Sequence, residues 1–430
     1  MYLFLIMKNQ RVLISGAGIA GLTLAYWLRK SGFTPTVVEQ YPKLREGGYL
    51  IDFFGVGIEV AERMGIISDL EKHHIPIHEM TFVDVSGKRV GGLNMAKIRK
   101  LLKNRSYNFL RSDLAKVIYS RVEKDVEVIF GSSIISIDQK ESHLNVSFNN
   151  IAPRSFDLVI GADGLHSNVR KLLFGDESSF VKYLGYYTAS YSFRNYHIKK
   201  DEFLSFTVPG KQVAIYSVKE HQLAFFLFSR AQRLEKINSY SQDKKWVLRS
   251  QFNDLGWKCE DILYRMNMVE DFYFDEVSQV ILPKWSQGRV SLVGDACGCP
   301  SLLSGQGSTL AMTGAYVLAN ELARAKGDYQ KAFAEYEKMM RPFIESKQER
   351  ARQFAKSFLP QNYLGVWLRN TFCNLMFLPI ISKWFVNNFM TDKFSLPDVD
   401  QHHVRHDPVR QRDNMHPEHS PTQRNKVQAR

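Results

Sequence analysis

Gly16, Gly18 and Gly21 stand at G-x-G-x-x-G spacing directly after the apolar run Val12, Leu13, Ile14. At such a hinge the first glycine permits a tight turn, the second lets the backbone approach a pyrophosphate, and the third lets helix and strand pack closely. Together with Ala17 they open a helix whose unpaired amides and positive dipole end suit phosphate oxygens. Glu39 closes the next apolar run about 20 residues on, where a carboxylate accepts from a ribose 2′-hydroxyl and would repel a phosphate. The pair of features favours the unphosphorylated adenosine ribose of FAD or NAD over that of NADP. A second group, Gly294 and Asp295 with Pro300, Leu302, Leu303, Gly305, Gln306 and Gly307, follows another strand-like run and precedes the apolar stretch 310–322. It offers a second glycine-lined helix start for an anion, and Asp295 can accept from a sugar-alcohol chain.

These residues need elements to hold them. Residues 11–40 read as strand, glycine turn, helix (Leu22, Leu24, Ala25, Trp27, Leu28), Gly32 and strand, a βαβ unit. Further strand-like runs at 156–160 and 288–293 end in Asp163-Gly164 and Gly294-Asp295. Alternating polar and apolar residues between 183 and 230 predict antiparallel sheet. From Tyr329 the apolar residues Phe333, Tyr336, Met340 and Phe343 recur at helical spacing and predict a long helix. A further helical stretch at 362–390, rich in Trp367, Leu368, Phe372, Trp384 and Phe385, reads as core packing.

With 430 residues the chain holds two or three domains of roughly 150 residues. Its 44% hydrophobic and 23% charged residues exclude a wholly disordered chain. The net charge of +13 favours anionic partners, but no basic run interleaved with aromatics builds a nucleic-acid stripe, so small anionic ligands fit better. Cys259, Cys297, Cys299 and Cys373 are too few for a disulfide framework and point to the cytoplasm. Cys297 and Cys299 read as loop residues rather than zinc ligands. Residues 1–7 lack the marks of a secretory signal. The stretch 372–390, broken by Pro379 and Lys383, predicts a packed or interfacial helix rather than a membrane span, and 401–430 a disordered tail.

The Gly16–Gly21 fingerprint, the Asp163-Gly164 pair inside FDLVIGADGLHSNVR and the Gly294-Asp295 pair, in that order, resemble the motifs of FAD-dependent monooxygenases of the p-hydroxybenzoate hydroxylase class, over about residues 8–345. Within that class AYWLRKSGFTPTVVEQ, GGYLIDFFGVG and GDACGCPSLLSGQGSTLAMTGAYVLANELARAKGDY are most similar to the tetracycline-inactivating enzymes called tetracycline destructases. One departure is Gly298, where many relatives carry a histidine. The resemblance implies an α/β fold: a Rossmann-like FAD-binding domain in three layers (β/β/α), an inserted mixed antiparallel-sheet substrate domain, and C-terminal helices. The corresponding segments are 1–72, 105–172 and 276–322 for FAD, 73–104 and 173–275 for substrate, 323–398 for the helices and 399–430 for the tail.

The resemblance also implies roles. Glu39 serves the ribose of FAD, and Asp295 the ribityl and pyrophosphate region. Arg111, which alone reads as an exposed arginine before a helix capped by Ser112, lies against FAD. Arg45, Gly47, Gly48 and Asp52 in REGGYLID, otherwise an ordinary turn, run beside the isoalloxazine and help admit a nicotinamide donor, with Arg45 as phosphate partner. NADPH or NADH then reduces FAD, O2 adds at flavin C4a, and the hydroperoxide passes oxygen to an electron-rich enol or phenol, a tetracycline-like scaffold, without a protein nucleophile. The donor binds transiently, since no second complete fingerprint follows a strand. Such chemistry calls for a largely apolar cavity, with Tyr216, Phe225, Phe226, Leu302 and Leu303 as wall candidates. Three alternatives stay open: a hydroxylase of another phenolic or polyketide substrate, a flavin reductase without oxygenated product, and a non-catalytic dinucleotide sensor whose aromatic C-terminal helices meet a membrane or protein partner.

Overall fold

Val12, Leu13 and Ile14 are fully buried, as in a strand covered on both faces. The computed structural model describes residues 8–397 except 46–48, 197, 200, 201, 219, 231–240, 270 and 377. In it, strand Arg11–Ser15 sits inside a six-stranded sheet ordered Ser286–Gln287, Val290–Leu292, Leu158–Gly161, Arg11–Ser15, Thr34–Glu39, Glu127–Phe130. All neighbours are parallel except the first pair. The register sets Val38, Ser15 and Gly161 level with one another, and Leu292 level with Gly161. The carboxyl ends of these strands therefore form one edge, and the motif-bearing turns that follow them meet there, the place where open parallel sheets bind ligands.

Helices Ile19–Lys30, Arg111–Tyr119 and Gly307–Arg324 share a core with this sheet and with the antiparallel meander Ile134–Gln139, Leu144–Phe148, Arg154–Phe156, completing the β/β/α layers. The meander earns its place by alternation: Leu144, Val146 and Phe148 turn inward while Asn145 faces solvent.

The second sheet has seven strands, ordered Phe272–Val280, Val181–Phe193, His221–Ser229, Lys211–Val218, Glu202–Val208, Glu79–Val83, Arg89–Asn94. It is antiparallel but for the pairing of Glu202–Val208 with Glu79–Val83. Strand Phe272–Val280 pairs with Val181–Phe193 on both sides of the expected 275/276 boundary, so that boundary cuts through a continuous strand. A two-stranded ribbon, Leu50–Phe54 with Ser106–Leu110, lies between the sheets.

Helix Tyr329–Phe358 runs for 30 residues, and the stretch after it departs from expectation. Residues 362–390 form two α-helices, Tyr363–Leu375 and Pro379–Phe385, bent by 108°, followed by a π-turn, not one packed element. Their large apolar residues are mostly exposed rather than in a core. Residues 391–397 then return to the first domain: Lys347 and Asp392 form a buried ion pair, and Phe394 stacks on Phe343 at 4.7 Å. Residues 398–430, including the expected tail, lie outside the described residues.

Candidate functional site

Gly16 has φ +107°, a left-handed conformation, and a Cβ there would lie 2.7 Å from the Ala162 carbonyl oxygen. The fingerprint turn thus rests directly on the Asp163-Gly164 turn. A Cβ at Gly21 would sit 2.0 Å from Gly16 O, which is why helix Ile19–Lys30 can start flush with its strand. A Cβ on Gly294 would lie 3.0 Å from the Cβ of Ala20, so the second helix start packs on the first. Three motifs spread over some 280 residues of chain form one joint.

Around that joint the polar groups are arranged in pairs. The Glu39 carboxylate accepts from Ala17 N–H at 2.8 Å and Tyr41 N–H at 3.0 Å, which closes the fingerprint loop over its own acid. Asp163 accepts from Ser15 Oγ, Ser167 Oγ and Val169 N–H, tying strand Arg11–Ser15 to helix Asn168–Phe174. Burial raises the Asp163 pKa, and those hydrogen bonds work against the rise. Arg111 reaches the loop, its Nη2 lying 3.6 Å from where a Cβ on Gly18 would be. Asp295 is pushed up by burial and pulled down first by the Arg111 charge. Arg111 is therefore half-buried between the two helix starts; the cap expected of Ser112 is absent, since Leu110 holds the N-cap position and Ser112 is buried within the first turn.

The second helix start is open where the first is closed. Gly305 has φ +62°, and neither Gly305 nor Gly307 has a neighbour that an added Cβ would meet. Between them Gln306 is buried with its Oε1 unpaired. The first amides of an 18-residue helix, lacking intrahelical partners, start here. An orphaned amide oxygen beside free N–H groups and empty space is what a bound polar ring would satisfy. Pro300 is buried, its carbonyl accepting from Gln279 Nε2 at 3.0 Å.

Near Arg111 and Asp295, the rings of Tyr49 and Tyr273 are tilted against each other with centres 5.7 Å apart. Burial pushes the Tyr49 phenol to about 12. Sequence reading did not single out Tyr49, Tyr273 or Asp275, whose only local signals are an aromatic beside Gly47-Gly48 and an alternating strand. Asp52 is reachable by solvent yet deep in the fold, accepts from Asn108 Nδ2, and has its pKa raised by burial, as for a group lining a cleft. Tyr216 stacks on Phe203 at 5.1 Å, and its hydroxyl accepts from Leu50 N–H at 3.1 Å. Phe225 packs with this group and, like Leu303, also against Leu227, Val277 and Leu359. Leu302 is half-buried in the same 3-10 turn as Leu303.

Phe226 is not a wall residue. Successive strand residues point to opposite faces, and Phe226 is fully buried on the far side against Tyr191 and Phe252. Cys297 lies in the short helix Asp295–Gly298 rather than in a loop. Gly298 is closed off as well: a Cβ there would lie 2.8 Å from Ile344 Cγ2, so this position serves packing against the long helix. Arg45 is exposed, its guanidinium 4.2 Å from the Tyr41 ring centre. Gly47 and Gly48 lie outside the described residues.

Comparison with known proteins shows the family. Residues 9–351 match the family model described as an FAD binding domain. A flavin-dependent monooxygenase of Legionella longbeachae is 37% identical over 354 residues, covering 82% of this chain and 90% of the relative. Among solved structures, tetracycline destructase Tet(51) is 33% identical with a TM-score of 0.78, covering 91% of this chain and 100% of that one. Tetracycline destructase Tet(55) is 31% identical with the same TM-score of 0.78, over 91% and 99%. The chain belongs to the FAD-binding family of flavin-dependent monooxygenases.

Proposed function

We propose that the enzyme hydroxylates, and so inactivates, tetracycline-type polycyclic enols and phenols, with NADPH as the electron donor. The observation that carries this reading is the likeness to two tetracycline destructase structures at 31% and 33% identity along 91% of the chain. The apolar patch joining Phe225 to Leu303 supports it, since a fused-ring substrate needs a dry wall beside the flavin slot.

FAD, when bound, supplies the two-electron chemistry and the activation of O2. In this reading the rest falls to the chain. Glu39 takes the adenosine ribose hydroxyls, and the amide of Gly18 faces the pyrophosphate, the Ala17 N–H being held by Glu39. Arg111 keeps Asp295 ionised against burial, so that the carboxylate accepts from the ribityl chain. Asp163 serves by fixing the fingerprint turn against Ala162. The Gly305–Gly307 helix start, with Gln306 and Pro300, holds the ring's electron-rich edge; its dipole contributes about 0.3–1 kcal/mol if exposed and up to ~2 kcal/mol if partly buried. Tyr216 fixes the entry of strand Leu50–Phe54, which places Asp52 at the cleft. Phe225, Leu302 and Leu303 exclude water. Arg45, three residues before Gly48 and exposed, takes a phosphate of the transient nicotinamide donor.

The test is an NADPH-oxidation assay on the yellow holoenzyme. Tetracycline should accelerate oxidation, lose its own absorbance and gain one atom from labelled O2. Acceleration by another polycyclic phenol but not by tetracycline would move the reading to that substrate class, and oxidation without oxygen incorporation would overturn it.

A further inference from the structure

Helix Tyr363–Leu375 turns its apolar stripe outward. Leu364, Trp367, Leu368, Phe372 and Leu375 are exposed and recur every three or four residues, which places them along one face. Ile380, 83% exposed, and Trp384 extend this surface onto Pro379–Phe385. The pair is not a loose appendage. Asn362 caps the first helix by accepting from Gly365 N–H at 2.7 Å, and Arg369 reaches back to Phe358 O at 3.1 Å and Thr207 Oγ1 at 3.2 Å. Beyond the hairpin the Lys347–Asp392 pair pins the chain again. The apolar face is thus presented by an element anchored at both ends.

A basic helix lies beside it. Met376 and Val386 pack on Ile98 of helix Met95–Leu101, and that helix with its following turn carries Lys97, Arg99, Lys100 and Lys103. A cavity of about 140 Å³ adjoins this helix, lined among others by His74, His78, Arg99, Lys100 and Ser106. We infer that this surface seats the enzyme on an anionic membrane, with the aromatic stripe at headgroup depth and the basic helix and its cavity taking lipid phosphates. Tryptophan and tyrosine favour that depth, and anionic leaflets attract lysine and arginine. A second copy of the chain fits less well, because a two-fold contact repeats the same patch and would set the basic helices of two +13 chains together. The hairpin lies on the bilayer rather than crossing it: 13 residues of helix reach about 20 Å against a core of roughly 30 Å, and the bend of 108° prevents the two helices from making one span.

Co-sedimentation of the full-length holoenzyme with vesicles tests this. Vesicles of phosphatidylcholine containing roughly one-third phosphatidylglycerol should pellet the protein, pure phosphatidylcholine vesicles should pellet it at least about tenfold less well, and salt should weaken the binding. Trp367→Glu with Ile380→Glu, and separately Lys100→Glu with Lys103→Glu, should each lower binding about tenfold or more while flavin absorbance and NADPH turnover persist. Binding to neither vesicle, binding that both variants retain, or a dimer by light scattering that Trp367→Glu dissolves while vesicles stay unbound would each overturn the inference.

Discussion

Helices Gly307–Arg324 and Tyr363–Leu375 are similarly apolar, yet one is buried from Thr309 to Ala323 and the other has only Asn370 and Cys373 among its buried residues. In the first, small residues let neighbours close in: Ala311 lies by Gly294, and Gly314 lies by Tyr336 and Met340. In the second, bulky Trp367, Leu368 and Phe372 stand outward, while the inner side is held by polar anchors such as Arg369 and Asn370. Apolar periodicity marks a face that avoids water; what meets that face depends on distant chain.

The comparison can be broken by substitution. The largest effect is expected at the buried joint: Gly21→Val puts a side chain 2.0 Å from Gly16 O, and loss of more than about 4 kcal/mol should leave little folded, flavin-retaining protein, read by yield and absorbance. Next, Lys347→Met strands Asp392 as a buried unpaired charge and should cost about 3–5 kcal/mol in denaturant unfolding, detaching the segment that anchors the hairpin. Leu318→Ala and Leu368→Ala then make the same change on the two helices. The first, fully buried, should cost about 2–5 kcal/mol, and the second, exposed, no more than about 0.5 kcal/mol. Equal losses at the two positions would erase the distinction.

The smallest effect concerns pH. His166 sits between Glu177 at 2.8 Å and Asp275 at 3.4 Å, joining the Asp163-Gly164 segment to strand Phe272–Val280. Hydrogen bonds to Asp275 and then Glu177 raise its pKa from 6.5 to about 10. A pKa raised on folding means stability present in full below 6.5 and lost as pH climbs through about 10. His166→Gln should flatten the fall in melting temperature across that window, by a modest amount because the imidazole is half exposed.

Much of the architecture was legible in local pattern. The βαβ unit, the long helix from Tyr329 and the alternating sheet each follow from spacing that one element satisfies alone. The errors share a cause. Phe225 and Phe226 are identical in type and adjacent, and only the alternation of the strand decides that Phe226 enters the core with Tyr191 and Phe252 while Phe225 packs by Tyr216. Ser112 has a capping side chain but stands two residues past the N-cap position, inside the first turn. Tyr273 and Asp275 reach Tyr49 and His166 from the second sheet, with nothing nearby in sequence to mark them.

Sequence by itself determined the chemistry available at each turn: where amides lack partners, where an acid follows a strand, where a backbone must take a positive φ. Those properties depend on a few consecutive residues and their dihedral angles. Tertiary structure alone decided that Gly16 touches Ala162, that Gly294 touches Ala20, and that the aromatic hairpin faces outward. Such contacts arise from packing between segments far apart in the chain, and the energy of burial is settled only when those segments meet.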